Sequence, residues 1–215
     1  WDLIHEAKNA CGQDMGAMLA YLKDRLVSMG HAQAQNFHDI IHAYEDLADK
    51  FGLWDAAGIM KEYGCSDDGF IDFRAWLIAQ GREVYFAALA DPDSLADVVP
   101  YGDCCFEQLS YVGDYAHEQL TGKSAYDQTD WARYETLLTE LEQDIVYKGG
   151  IEFPREGPEL KQYLPRLCAA HPGWDGKTRW NVQQKEMRDL IRAGKAYDQR
   201  QAPKKKHRSH GGEAR

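Results

Sequence analysis

Apolar residues recur along the chain at intervals of three and four, the spacing that lines one face of an α-helix. Trp1, Ile4, Ala7 and Cys11 make the first such stripe, and Met15, Met18, Leu22, Leu26 and Met29 carry the period through a second helix. Phe37, Ile41, Tyr44, Ala48 and Phe51 form a third stripe, with Gly52 expected as its stop. LWDAAGIMKEYG reads as a short helix ending at Gly64, GCSDDGFIDFRAWLIAQG as the next helix with its start, and REVYFAALA as another. Pro92 and Ser94 in DPDSLADVVP mark a turn that leads into one more helical turn. Helical spacing resumes with Phe106, Leu109, Val112, Tyr115, Ala116 and Leu120, and DWARYETLLTELEQDIVY, capped by Thr129 or Asp130, is expected to be the longest helix. KGGIEFPREGP reads as a loop before ELKQYLPRLCAAHP.

Nothing alternates as paired strands would. The pattern predicts an all-α fold of about eight to ten helices, given the helix lengths usual in globular proteins. It forms a single compact multi-helix domain over residues 1–175 with a basic C-terminal tail over residues 176–215. Within that tail NVQQKEMRDLIRAGKAYDQR is expected to form a basic helix and QAPKKKHRSHGGEAR to be disordered.

Charge sharpens this division. Residues 1–175 carry 13 Lys and Arg against 31 Asp and Glu, a formal −18, whereas residues 176–215 carry 12 against 4, a formal +8. The body should repel nucleic acid and anionic membranes and suit a basic protein partner; only the tail, through Lys204, Lys205, Lys206 and Arg208, could contact nucleic acid. No apolar run approaches the roughly 18 residues that span a bilayer. Five cysteines with no CxxC pair do not resemble a secreted disulfide framework, so a cytoplasmic location is expected. WDLIHEAKNA reads as an amphipathic helix and not as a signal, and with Trp1 as the first residue the natural beginning of the chain is expected upstream.

The stretch from Gly64 to Gly81 raises the sharpest chemical question. Ser66, Asp67 and Asp68 precede Phe70, Phe73, Leu77 and Ile78, as a helix N-terminus requires: an oxygen accepts unpaired backbone N–H groups, and acids favour the positive end of the helix dipole. Capping does not explain the doubled acid together with Arg74 and Arg82, which could return to the same helix end, lock a junction between helices, or bind a polar ligand. Ser66, Asp67, Asp68, Arg74 and Arg82 are therefore candidate ligand-binding residues.

The residues from Leu53 to Asp97 also carry a resemblance. The LW-x-AA segment, GCSDDGF, FR-x-WLI-x-QG and ALADPDSLAD, with Trp1 near the start, resemble the bacterial domain-of-unknown-function family 4240 over roughly residues 1–120. The resemblance implies a mainly helical cytosolic bacterial protein and no particular activity.

Other groupings offer weaker chemistry. His38, His42 and Glu45 lie at i, i+4 and i+7, a spacing at which two imidazoles and a carboxylate can share a divalent metal; the alternative is the solvated edge of a polar helix face. Cys104 and Cys105 are adjacent and suit packing at a helix start. Cys65 precedes a helix, but Asp67 and Asp68 oppose a thiolate there. Asp91, Asp93 and Asp97 alternate with turn residues, yet a calcium loop would need Gly and Glu where Ala96 and Gly102 stand. No phosphate loop, dinucleotide fingerprint or nucleophile elbow is present, so no cofactor is indicated. The expected function is a non-enzymatic binding protein with an acidic surface; the alternative is an enzyme or metal-binding protein around Asp67, Asp68, Arg74 and Arg82, or around His38, His42 and Glu45.

Overall fold

The computed structural model describes residues 1–176 and 184–201. Among these residues there are eleven α-helices, three short 3-10 turns and no strand, so the fold is all-α. In chain order the helices are α1 (Asp2–Cys11), α2 (Met15–Met29), α3 (His31–Leu47), α4 (Phe51–Met60), α5 (Asp67–Ala79) and α6 (Arg82–Ala90). They continue with α7 (Gln108–Thr121), α8 (Trp131–Glu142), α9 (Gly157–Tyr163), α10 (Pro165–Ala170) and α11 (Gln184–Gln201). The 3-10 turns are Pro92–Asp97, Gly102–Cys104 and Tyr126–Gln128.

The expected stripes become the core. Ile4 and Ala7 of α1 and Met18, Leu22 and Leu26 of α2 are buried. α7 lies along both α2 and α3, while α1 covers α2 and α8 covers α3. Close approach of α7 to α3 depends on Gly113: a Cβ there would stand 2.9 Å from the backbone of His38. α4 is apolar on nearly every face and is buried from Gly52 to Met60, as such a helix must be. Phe51, Trp54, Phe70, Phe73, Trp76 and Tyr101 run as a continuous series of ring contacts, with centroids 5.1–6.2 Å apart, joining α4, α5 and the segment before α7.

Three expectations change. Gly52 does not stop the third helix. α3 ends at Leu47, and Gly52 lies inside α4, where a Cβ would come within 2.9 Å of Ile151 and its N–H donates to the Ile151 carbonyl at 2.8 Å. The helix opened by Asp130 has 12 residues, fewer than the 17 of α3 or the 18 of α11, because only Tyr134 of α8 is buried and little packing sustains it beyond Glu142. The helices number one more than the upper expectation because Pro165 divides ELKQYLPRLCAAHP into α9 and α10; the residue before a proline avoids α geometry, and Leu164 sits at φ −125°, ψ 58°.

The loop between α8 and α9 is anchored from within. Arg155, 2% exposed, donates to both Asp198 oxygens (3.0 and 2.9 Å) and to the carbonyls of Gly150 and Phe153 (3.0 Å each), and its guanidinium lies 3.6 Å from the Tyr163 ring centroid. Asp198 belongs to α11, whose Met187 and Ile191 are buried and whose Tyr197 packs on Phe153. The described part of the basic segment therefore packs on the body. Lys204, Lys205, Lys206 and Arg208 lie outside the described residues, as does the expected disorder of that stretch.

Candidate functional site

Opposite its apolar stripe, α3 carries Gln35, His38, Asp39, His42, Glu45 and Asp46 on one polar face. A polar helix face ordinarily meets water. Here α7 and α8 pack against it, so His38, Asp39 and Glu45 are buried, and the groups must find partners in the protein. Asp39 Oδ1 accepts from Gln35 Nε2 at 2.9 Å and from Thr129 Oγ1 at 3.3 Å, and Asp46 Oδ2 accepts from the Tyr134 hydroxyl at 2.8 Å. Ser110 of α7 donates to Glu45 Oε1, while Glu45 Oε2 stands 3.0 Å from His42 Nδ1. A carboxylate at that distance holds the proton on Nδ1, so the neutral ring carries its lone pair on Nε2.

The partners then run out. Gln35 Oε1, His38 Nδ1 and His42 Nε2 are buried and meet no hydrogen-bond partner among the described residues. Each such group costs about 1–3 kcal/mol, and these three share one face of one helix. The imidazoles of His38 and His42 contact each other edge to face at 4.4 Å, and the Tyr126 ring lies 4.4 Å from His38 and 5.3 Å from His42. Burial first, and then the neighbouring His42, lower His38 to about 4; Asp114 opposes them, and His117 adds the smallest lowering influence. Burial likewise pushes the Tyr126 hydroxyl up to about 12.

These side chains enclose a pocket of about 210 Å³. Its inner wall is His38, Asp39, His42 and Asp46 of α3, and its outer wall is Tyr126, Thr129, Trp131 and Tyr134. Asp130 sets the outer wall by capping α8, accepting from the N–H groups of Ala132 and Arg133, which leaves Trp131 at the mouth with 67% of its surface exposed. The lining contains acceptors and aromatic faces and neither Lys nor Arg.

The candidates at the start of α5 lie elsewhere. Ser66 caps that helix, its hydroxyl accepting from Gly69 N–H at 3.1 Å, with Asp67 and Asp68 in the first turn. Arg74 reaches α3, donating to the Glu45 carbonyl at 3.0 Å and standing 3.7 Å from Asp49. Arg82 lies over the Phe86 ring at 4.5 Å. None of the five lines the α3–α8 pocket. The structure thus brings His38, His42 and Glu45 together, but with Glu45 engaged by His42 and Ser110. No group of three His, Cys, Asp or Glu side chains among the described residues is arranged to hold a metal ion.

Sequence reasoning missed Asp39, Asp46, Ser110, Tyr126, Trp131 and Tyr134. The first two were legible as members of the same helical face as His38 and His42. The others come from separate elements, and only tertiary packing delivers them.

A family profile described as protein of unknown function (DUF4240) matches residues 1–119, more than half of the 215-residue chain. The chain belongs to the DUF4240 family. The part matching DUF4240 holds α1 to α6 and nearly all of α7, and with them His38, Asp39, His42, Glu45, Asp46 and Ser110; Tyr126, Thr129, Trp131 and Tyr134 lie beyond it. No curated protein and no solved structure matches the chain.

Proposed function

We propose that this DUF4240 protein is a binding protein whose α3–α8 pocket receives a cationic group, a lysine or arginine side chain of a basic protein partner. The observation that carries the reading is the pocket's composition: two carboxylates, a histidine nitrogen oriented as an acceptor, three aromatic rings and neither lysine nor arginine. An ammonium or guanidinium group supplies donors to the unpartnered acceptors and can rest on Tyr126 or Trp131, where a cation over a ring gains about 0.5–2 kcal/mol. The acidic body adds long-range attraction for a basic partner. Five free thiols suit a reducing cytoplasm as the setting.

Titration with lysine- and arginine-containing basic peptides, followed by the fluorescence of Trp131, tests this. Saturable binding is expected to weaken about tenfold in Asp39→Asn, in line with loss of one charge-assisted contact, and to vanish when the peptide's lysines are acetylated and its arginines replaced by citrulline. Equal binding by wild type and Asp39→Asn, or none by either, overturns the reading. A second reading, an enzyme, is favoured by the Ser110–Glu45–His42 series, since a carboxylate on Nδ1 makes Nε2 a general base. It predicts turnover that His42→Gln abolishes.

A further inference from the structure

Lys61, at the end of α4, is 8% exposed, and its ammonium has a sulfur as its hydrogen-bond partner: Nζ to Cys105 Sγ is 2.6 Å. A buried ammonium demands a counter-charge or a strong acceptor. Burial is the largest single influence and pulls Lys61 down, but the bond to Cys105 and the charges of Cys105, Cys65 and Tyr63 together more than offset it and hold the ammonium above its ordinary range. The ammonium therefore stands as a proton donor directly beside the Cys105 sulfur.

The surroundings single out Cys105 among its neighbours. Cys65 and Cys104 flank the same lysine, yet burial pushes both thiols up to about 12 and keeps them protonated. Cys105 is only half-buried. The backbone is contorted to place it. Gly102, Asp103 and Cys104 have φ of 57°, 56° and 52°, and Glu62, beside Lys61, has φ 62°; among the described residues these three are all of the non-glycine residues at positive φ. Strain of this sort gathers at functional sites. Lys61, the partner of Cys105, lines an open cleft of about 720 Å³ together with Glu62, Asp103 and Cys104. Asp72 is the acid facing Lys61 from α5, Tyr63 is a further neighbour, and Asp103 and Glu107 add negative charge; Lys61 is the cation among them and the one in contact with the Cys105 sulfur.

We propose that Lys61 and Cys105 form a peroxide-responsive modification site, at which Cys105 is oxidised to the sulfenic acid and Lys61 then closes onto it through a nitrogen–sulfur bond. The Cys105 thiolate attacks one oxygen of hydrogen peroxide. A sulfur–oxygen bond forms, the oxygen–oxygen bond breaks, sulfur gives up two electrons, and the departing hydroxide takes a proton from the Lys61 ammonium to leave as water. The neutral Lys61 amine then attacks the sulfenic sulfur. A sulfur–nitrogen bond forms, the hydroxyl group departs with an amine proton as a second water, and no further electrons move. The pair ends joined and lighter by two hydrogens.

Peptide mass mapping of the full chain after one equivalent of hydrogen peroxide, with and without dimedone, tests this. Cys11 is equally half-buried and serves as the internal reference. With dimedone, the adduct is expected on Cys105 about tenfold faster than on Cys11, because Lys61 stands beside the Cys105 sulfur to protonate the departing hydroxide, one modest general-acid contribution. Without dimedone, the Lys61 and Cys105 peptides are expected to be joined and to be released by dithiothreitol. Lys61→Arg keeps the charge, so it should retain the adduct and lose the joined peptides; Lys61→Met should slow the adduct to the rate of Cys11. Oxidation of Cys105 no faster than Cys11 in the wild-type protein overturns the proposal, even if the Met variant does not fold. A joined product that persists in Lys61→Arg, as a disulfide with Cys65 or Cys104 would, overturns it as well.

Discussion

Arg155 and His38 are each 2% exposed, and the protein treats them in opposite ways. Arg155 donates four side-chain hydrogen bonds, faces a carboxylate with two of its nitrogens and stacks on Tyr163. His38 leaves Nδ1 without a partner beside His42, whose Nε2 also lacks one. A buried polar group completed by its own chain holds the fold together, as Arg155 does in tying the α8–α9 loop to α11. Buried polar groups left incomplete side by side in one pocket lower stability and need another reason to be there, which is the argument for the α3–α8 pocket as the site.

Removing Arg155 should break the structural half of this comparison with the largest effect. Arg155→Met keeps the length of the side chain but strands Asp198 and two carbonyls, and it should cost about 3–5 kcal/mol, as breaking buried ion pairs does. Urea denaturation followed by circular dichroism measures it. A loss under 1 kcal/mol would show that α11 and the loop do not depend on the arginine.

The next effect comes from acid. His38 is lowered from 6.5 to about 4 in the folded protein, so the unfolded chain binds the proton first as pH falls. The stability that neutral His38 contributes is complete above pH 6.5 and is lost progressively down to about pH 4, a total of roughly 3 kcal/mol at about 1.4 kcal/mol per unit. Asp114, which opposes the shift, and His42 and His117, which add to it, face the same ring. Denaturation midpoints taken between pH 7 and pH 4 should show this slope in wild type, and His38→Gln, which cannot titrate, should flatten it.

How far the sequence could be read follows the same physical line. The stripes of α1 and α2 were legible because a single helix face carries them, and so was the start of α5, where Ser66 does what a serine before two acids does locally. Gly52 was misread because a glycine that admits Ile151 and Tyr163 is indistinguishable, along the chain, from one that ends a helix. His38, His42 and Glu45 were visible as a spacing. Their surroundings were not, because Ser110, Tyr126 and Trp131 reach them from elements that only the tertiary fold assembles. Arg155 lay in a loop rich in Gly and Pro, and nothing local marks a loop arginine as buried.

The start of α5 supplies a smaller effect that sharpens the contrast from the structural side. Ser66→Ala removes the acceptor for Gly69 N–H and should cost about 1 kcal/mol, while Asp67→Asn with Asp68→Asn should cost about 0.3–1 kcal/mol through the helix dipole and less at high salt. Neither change should alter binding of a basic peptide, since these residues lie outside the pocket. Thermal unfolding read beside peptide titration separates the two effects. A double Asn variant that folds well and no longer binds would move the site to the start of α5.

Trp131→Ala gives the smallest change in stability and the clearest test of what the incomplete groups are for. The indole is 67% exposed, so folding removes little of it from water, and its loss should change stability by no more than about 0.5 kcal/mol. An exposed tryptophan at the mouth of an acidic pocket has little reason to be there if the pocket is only imperfect packing. If the pocket takes a cation, the same substitution should weaken a basic peptide about five- to tenfold, the size of one cation–ring contact. Stability and affinity would then part at Trp131, whereas at Arg155 any loss of binding should follow the loss of fold. If Trp131→Ala leaves affinity untouched, the cation is not held at the mouth, and the unpartnered nitrogens of His38 and His42 would have to account for binding from deeper in the pocket.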